Sequence, residues 1–373
     1  MSTNYPPLNT DLNEGQGFRA FHTFMRGARR FMETDVWQRG YDDYTAAADA
    51  LDEAPADPDA ALPVLDRLPA FQLHAWMFRN LQRFKYTYPE YGIVPAAQAE
   101  RPRIEKALEA SLERGVARGK VRLNPAQAYP DYYAHVDFHQ HPGGVWSDPL
   151  DGVVYDVARR TTIAAHMDPN MIYRQLFDNL PRDRTYDRVL DWGLGHGSGL
   201  LTWMEMHPES EAHGVDLSAP CLSFAWNKAE EKGLEPTLSQ QDVAHLDYPD
   251  NHFDLIFFVF MLHEIPPGPT PAILREVYRV LKPGGRFMGI EFRPVPGAGP
   301  FERAMLVHSQ WCNNEVFSPA FFKFPLVETA REIGFSNAEI RPLHKTAQSV
   351  SAEPGRVTAA PPYAQFVVID LEK

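Results

Sequence analysis

The chain has 373 residues, 44% of them hydrophobic, which is enough to bury a sizeable core. Its 36 Lys and Arg against 49 Asp and Glu give a formal net charge of -13, which argues against nucleic acid as the main partner and against an anionic membrane surface. The two cysteines, Cys221 and Cys312, build no disulfide framework, the N-terminus shows no signal-peptide pattern, and the longest apolar run, Leu255 to Leu262, is too short to span a bilayer, so a cytoplasmic protein is expected.

Residues 1–150 read as a mainly helical N-terminal domain. Phe18 to Tyr44 carries aromatics at mixed spacing and reads as helix, and Ala54 to Pro63 reads as a Pro/Ala/Asp connector. Ala70 to Tyr86 predicts an amphipathic helix with Phe71, His74, Ala75, Phe78, Leu81 and Phe84 on one face. That face suits core packing or a homodimer contact. Pro102 to Gly119 predicts a further helix with charge pairs one turn apart.

In Tyr132 to Gly144, His135, Asp137, His139 and His141 alternate. On a strand they would share one face, at a spacing that suits a transition metal. Against a metal, a site normally draws ligands from more than one segment, and no second segment is evident. We therefore expect no metal here, and a wall of a substrate cavity that includes His139. Residues 151–180 read as a lid or linker, mostly the helix Val153 to Asn179.

Residues 181–373 alternate strand and helix. Expected strands are Arg188 to Leu190, Glu211 to Val215, Thr237 to Gln240, Leu255 to Val259, Arg286 to Phe292, Ala338 to Pro342 and Gln365 to Leu371, with a turn at Pro283-Gly284-Gly285. Such alternation predicts an α/β fold with a doubly wound, mostly parallel sheet. Its organising stretch is Asp187 to Asp216: a strand ending in Asp191, a turn with Gly193, Gly195, Gly197 and Gly199, a helix, and a second strand ending in Asp216. Glycines let backbone N–H groups approach a ligand, and a carboxylate can accept two ribose hydroxyls. The dinucleotide fingerprint G-x-G-x-x-G fits imperfectly, because Ser198 stands at its third glycine.

The pattern D-x-G-x-G-x-G resembles motif I of the class I S-adenosylmethionine-dependent methyltransferases. The resemblance continues in order through G-V-D-L-S (Gly214 to Ser218), S-Q-Q-D-V (Ser239 to Val243), F-D-L-I-F-F-V-F-M-L-H-E (Phe253 to Glu264) and L-R-E-V-Y-R-V-L-K-P-G-G-R-F (Leu274 to Phe287). It implies a seven-stranded sheet closed by a C-terminal antiparallel hairpin, and S-adenosyl-L-methionine as cofactor. It further implies cofactor contacts at Asp191, Gly193, Gly195, Gly197, Asp216, Leu217, Asp242 and Val243, with Phe258 narrowing the methionine end. Tyr155, Arg159 and His166 are implied as lid residues over that end. The insertion at 293–324, aromatic and amide rich, is the expected seat of acceptor specificity, with Trp311 and Asn314 as candidates.

A sulfonium supplies an activated methyl group, so the protein's tasks are alignment and a dry cavity. A hydroxyl acceptor also calls for a base. His263, next to Glu264, stands where similar phenol O-methyltransferases carry their base; it serves either as base or as a shaper of the pocket. Glu291 adds a second polar group at the same edge. The expected function is methyl transfer to a small-molecule acceptor, the alternatives being another reaction on the same cofactor or a non-catalytic binding subunit.

Overall fold

The computed structural model describes residues 10–160, 170–294, 297–343 and 366–373. Helices α1 (Gln16–Phe31) and α2 (Trp37–Asp49) form one continuous rod through a wider π turn at Met32–Val36. Where the Pro/Ala/Asp stretch predicts a connector there is a short helix, α3 (Pro58–Leu65). Asp57 caps it, its Oδ1 accepting the Ala60 N–H at 2.9 Å, and Pro58 at the first helical position needs no N–H partner. Helix α4 (Pro69–Thr87) buries Phe71, His74 and Phe78 as expected. Farther along, its buried stripe passes to Gln82, Lys85 and Tyr86, leaving Leu81 part-exposed and Phe84 exposed. The reason is that Gln82 turns inward to donate to the carbonyl of His139 at 2.9 Å. Helices α5 (Ile93–Ala99) and α6 (Arg101–Ala117) follow.

One sheet of eight strands runs in the order β1-β4-β3-β2-β5-β6-β8-β7. The strands are β1 (Val121–Arg122), β2 (Arg188–Trp192), β3 (Glu211–Asp216), β4 (Thr237–Gln240), β5 (Phe253–Val259), β6 (Leu281–Phe292), β7 (Asn337–Pro342) and β8 (Phe366–Glu372). β8 lies antiparallel between β6 and β7, and the remaining pairs are parallel. The expected count was seven; the added β1 comes from the N-terminal region and lengthens the β4 edge through Val121 and Arg122. The Pro283-Gly284-Gly285 turn is a loop-out within β6, where Gly284 has φ +77° and pairing with β5 slips.

Both faces of the sheet are covered, which is why β2, β5 and β6 are runs of apolar residues rather than alternations. Helices α10 (Ser198–Met206), α11 (Ala219–Glu231) and α9 (Met171–Asp178) lie on one face, and α12 (Thr270–Val280) and α15 (Leu326–Ile333) on the other. The N-terminal helices are welded to this layer. Trp226 Nε1 donates to the Ser111 carbonyl at 3.0 Å, and Arg114 pairs with Glu230 at 2.6 Å. Helix α8 (Asp151–Arg160) lies against α11 so closely that a Cβ on Gly152 would stand 2.6 Å from Phe224 Cβ.

The predicted helix Val153 to Asn179 is seen as its two ends, α8 and α9; His166 lies outside the described residues. Within the insertion, α13 (Pro300–Cys312) packs on the N-terminal helices, Phe301 sitting among Trp37, Tyr41 and Tyr44 at ring distances of 5.3, 5.2 and 5.3 Å. Burying such a ring contributes roughly 1.5–3 kcal/mol, so much of the insertion serves to hold the two halves together. Helix α14 (Ser318–Lys323) completes it. Among the described residues no helix is long and apolar enough to cross a membrane.

Candidate active site

In this strand order the connections reverse direction between β2 and β5, and a crevice is expected at the carboxyl ends of those strands. A cavity of about 100 Å³ lies there, lined on one side by the turn after β2 and on the other by Met261, Glu264 and Ile265. Gly193 (φ +74°) and Gly195 (φ +53°) shape the turn. A Cβ on Gly193 would stand 2.8 Å from Met261 Cγ, and one on Gly195 3.2 Å from the Tyr155 ring, so side chains there would fill the cradle.

Asp216, at the end of β3, lines the same cavity. Its Oδ2 accepts the Gly195 N–H and its Oδ1 the Ser218 N–H, both at 2.7 Å. Burial pushes its carboxyl up to about 6, against those two hydrogen bonds. Leu217, Val243, His139 and Tyr155 also line the cavity. The Tyr155 ring stacks on His139 with centroids 5.6 Å apart.

Other expected contacts stand elsewhere. Asp191 is buried beneath the turn, bonded to the Leu200 backbone, and burial holds its pKa well above the usual carboxylate range. Gly197 (φ +83°) caps α10 against Ala225 rather than facing the cavity. Asp242 Oδ1 accepts the Ala244 N–H at 2.9 Å and lines a neighbouring polar recess. Phe258 points into the core, stacked on Phe287 at 4.7 Å, because Gly289 leaves room for its ring. The ring that narrows the cavity is Phe260, just past β5, at φ +58°. Trp311 is 59% exposed, with the Arg79 guanidinium 4.9 Å over its ring, and Asn314 donates to the Asp137 carbonyl at 2.9 Å. Neither residue reaches the cavity, since α13 carries them out against the N-terminal helices.

The His/Asp alternation does not form a strand. Tyr132 to Gly144 folds as helix α7 (Asp131–Ala134) and a single tight turn at Phe138–Gln140, with His139 at φ +57°. The four groups diverge: His135 Nδ1 meets the Asp131 carbonyl, Asp137 accepts the Gly143 N–H, and His141 Nε2 lies 3.0 Å from Asp151. His139 alone reaches the cavity. Its Nε2 is 3.0 Å from Glu264 Oε1 and its Nδ1 2.6 Å from Glu315 Oε1. These three donors converge enough to suit a metal, but the two ring nitrogens address different carboxylates, as an ion-paired imidazolium does. Burial works to lower the His139 pKa; Glu315 and Glu264 outweigh it and raise it to about 10.

His263 lies in the turn Leu262–Glu264, behind the cavity wall. It is buried, with Nδ1 2.7 Å from Glu291 Oε2 and Nε2 3.6 Å from Glu315 Oε2. Glu291 is fixed in turn by the Met261 and Leu262 N–H groups at 2.8 and 2.6 Å. Burial opposes charging of His263, but the two carboxylates hold its pKa well above the usual value. A base needs a free nitrogen facing the acceptor; here Nδ1 is bonded to Glu291 and Nε2 faces Glu315 across 3.6 Å. Glu264, one residue on, faces the cavity. Glu315 escaped the sequence reading because a glutamate in a loop has no local signature.

The His139 pair sets a pH dependence. A histidine whose folded pKa exceeds its unfolded 6.5 adds stability below that value and loses it as pH rises through the folded pKa. Thermal melts from pH 6.5 to about 10 should therefore fall more steeply for the wild type than for His139→Gln. Parallel curves would show that the ion pairs carry no charge.

Residues 189–285 match the methyltransferase domain family model. Demethylmenaquinone methyltransferase of Thermus thermophilus is 35% identical over 124 residues, which is 33% of this chain and 56% of that protein. A fatty-acid O-methyltransferase of Mycolicibacterium smegmatis is 34% identical over 118 residues, 32% of this chain and 42% of that protein. The chain thus spans about half the length of these curated relatives. Among solved structures, PigF with SAH aligns over 95% of this chain and 98% of its own at 19% identity, with a TM-score of 0.46. The strand order and the family match together place residues 189–285 in the class I, S-adenosylmethionine-dependent methyltransferases.

Proposed function

We propose that this chain transfers a methyl group from S-adenosylmethionine to a small-molecule acceptor. The observation that carries this reading is the cavity itself: the glycine turn and Asp216 on one side, Glu264 with His139 on the other. The cofactor supplies an activated methyl on sulfur. Asp216 and Leu217 with the Gly193–Gly195 backbone hold it, and Val243 meets its adenine side. Phe138, Phe260 and Ile265 keep water out. Glu264 meets the acceptor, while His263 and Glu291 fix the loop that presents it.

Residues 10–160 serve in this reading as the cavity's second wall, through Tyr132, His139 and Tyr155. The relatives are named for demethylmenaquinone and a fatty acid, and the aromatic lining fits an apolar acceptor of that kind. A homodimer through the exposed aromatics of α4, such as Trp76, is part of the proposal. The test is a screen of apolar hydroxyl, quinol and carboxylate compounds with methyl-labelled cofactor. Label in an acceptor, with demethylated cofactor formed in equal amount, supports the reading. Bound cofactor consumed without label transfer points to another reaction on the same fold.

A further inference from the structure

Tyr133 is contributed by α7, outside the methyltransferase domain, yet its ring lines the cavity together with Gly195, Asp216 and Glu264. Its hydroxyl is buried and has no hydrogen-bond partner in the protein. A buried hydroxyl left unpartnered is unfavourable, so such a group in a cavity wall asks for a ligand. The ring cannot easily swing to water. Tyr129 stacks on it at 5.9 Å and is itself held by Gln240 Nε2, 3.2 Å from its hydroxyl. Tyr129 also packs on Trp146 at 4.4 Å, and the Val145 carbonyl accepts from Ser218 Oγ. The segment is therefore tied at one end to the last residue of β4 and at the other to the loop after β3, next to Asp216. Burial, with Asp216 close by, holds the Tyr133 pKa well above its usual value, so the group is a neutral phenol able to donate.

We infer that Tyr133 is a cofactor-binding residue: its hydroxyl hydrogen-bonds to S-adenosylmethionine from the side opposite the glycine turn, between Asp216 and Glu264. This rests on the cofactor reading above and adds to it that the N-terminal region closes the cofactor site as well as the acceptor site. Among the described residues of that region, Tyr133 lines the cavity and carries a buried hydroxyl whose hydrogen bond is unmade.

Titration calorimetry of the full chain with S-adenosylmethionine and with S-adenosylhomocysteine tests this, beside melting curves without ligand. Tyr133→Phe is expected to weaken both ligands about five- to thirtyfold, the loss of one buried hydrogen bond. It should leave the ligand-free melting temperature unchanged or slightly raised, since no internal bond is lost. Tyr129→Phe, which does break an internal bond, should lower it. A Tyr133→Phe dissociation constant within twofold of wild type overturns the inference alone. A fall in its ligand-free melting temperature with affinity retained assigns the hydroxyl to the fold and overturns it as well. A wild-type chain that binds neither ligand overturns the cofactor reading and this inference with it.

Discussion

Replacing Asp216 by alanine is expected to weaken S-adenosylmethionine about ten- to a hundredfold, a loss of roughly 1.5–3 kcal/mol. The carboxylate lies at the end of β3 and is held in place by the Gly195 and Ser218 N–H groups. Its orientation therefore does not have to be set on binding, and the lost interaction is that of a positioned charged acceptor with hydroxyl donors. Asp216→Asn should recover part of the loss, because an amide oxygen still accepts. The carboxyl is pushed up to about 6, so affinity should also weaken as pH falls through that value in the wild type and stay flat in Asp216→Asn. Calorimetry at pH 5 and pH 8 reads both effects. An Asp216→Ala dissociation constant equal to wild type would remove the carboxylate from the site.

The sheet was legible in the sequence because a parallel strand covered on both faces tends to be a short apolar run, and β5 reads as such a run. The glycine turn was legible for a related reason, since Gly193 and Gly195 hold positive φ where a side chain would block the cavity. Features set by distant contacts were hidden. Phe258 reads as a cavity residue until Gly289, on the neighbouring strand, is seen to make room for it in the core. Phe260, which does face the cavity, adopts its positive φ only where β5 has ended. The histidine alternation of Tyr132 to Gly144 looked like a strand face, but the segment folds as a short helix and a tight turn bonded to the insertion. There Asn314 bonds the Asp137 carbonyl and Gln140 the Cys312 carbonyl. The two-residue β1 is too short for any periodicity to register.

The largest stability effect is expected at His263. Its imidazolium lies between Glu291 and Glu315, and all three side chains are buried. His263→Leu leaves the buried Glu291 without its cation, while Glu315 keeps His139, and removing one partner of a buried pair costs about 3–5 kcal/mol. His263→Gln, which can still donate to Glu291, should recover part of this. The raised pKa sets the sign of the pH effect. The stabilisation is complete below the unfolded value of about 6.5 and is lost as pH rises through the higher folded value. Denaturant unfolding of both variants across pH 6 to 9 measures it, and a wild-type midpoint in His263→Leu would show that Glu291 needs no cation. Activity separates positioning from base catalysis once an acceptor is known. With Nδ1 bonded to Glu291 and Nε2 turned toward Glu315, the rate of folded His263→Gln should fall less than about tenfold, with its pH profile kept. A loss in the ~10²–10⁴ range of a missing general base, with the pH limb gone, would mean that the imidazole leaves Glu315 and takes the acceptor's proton itself.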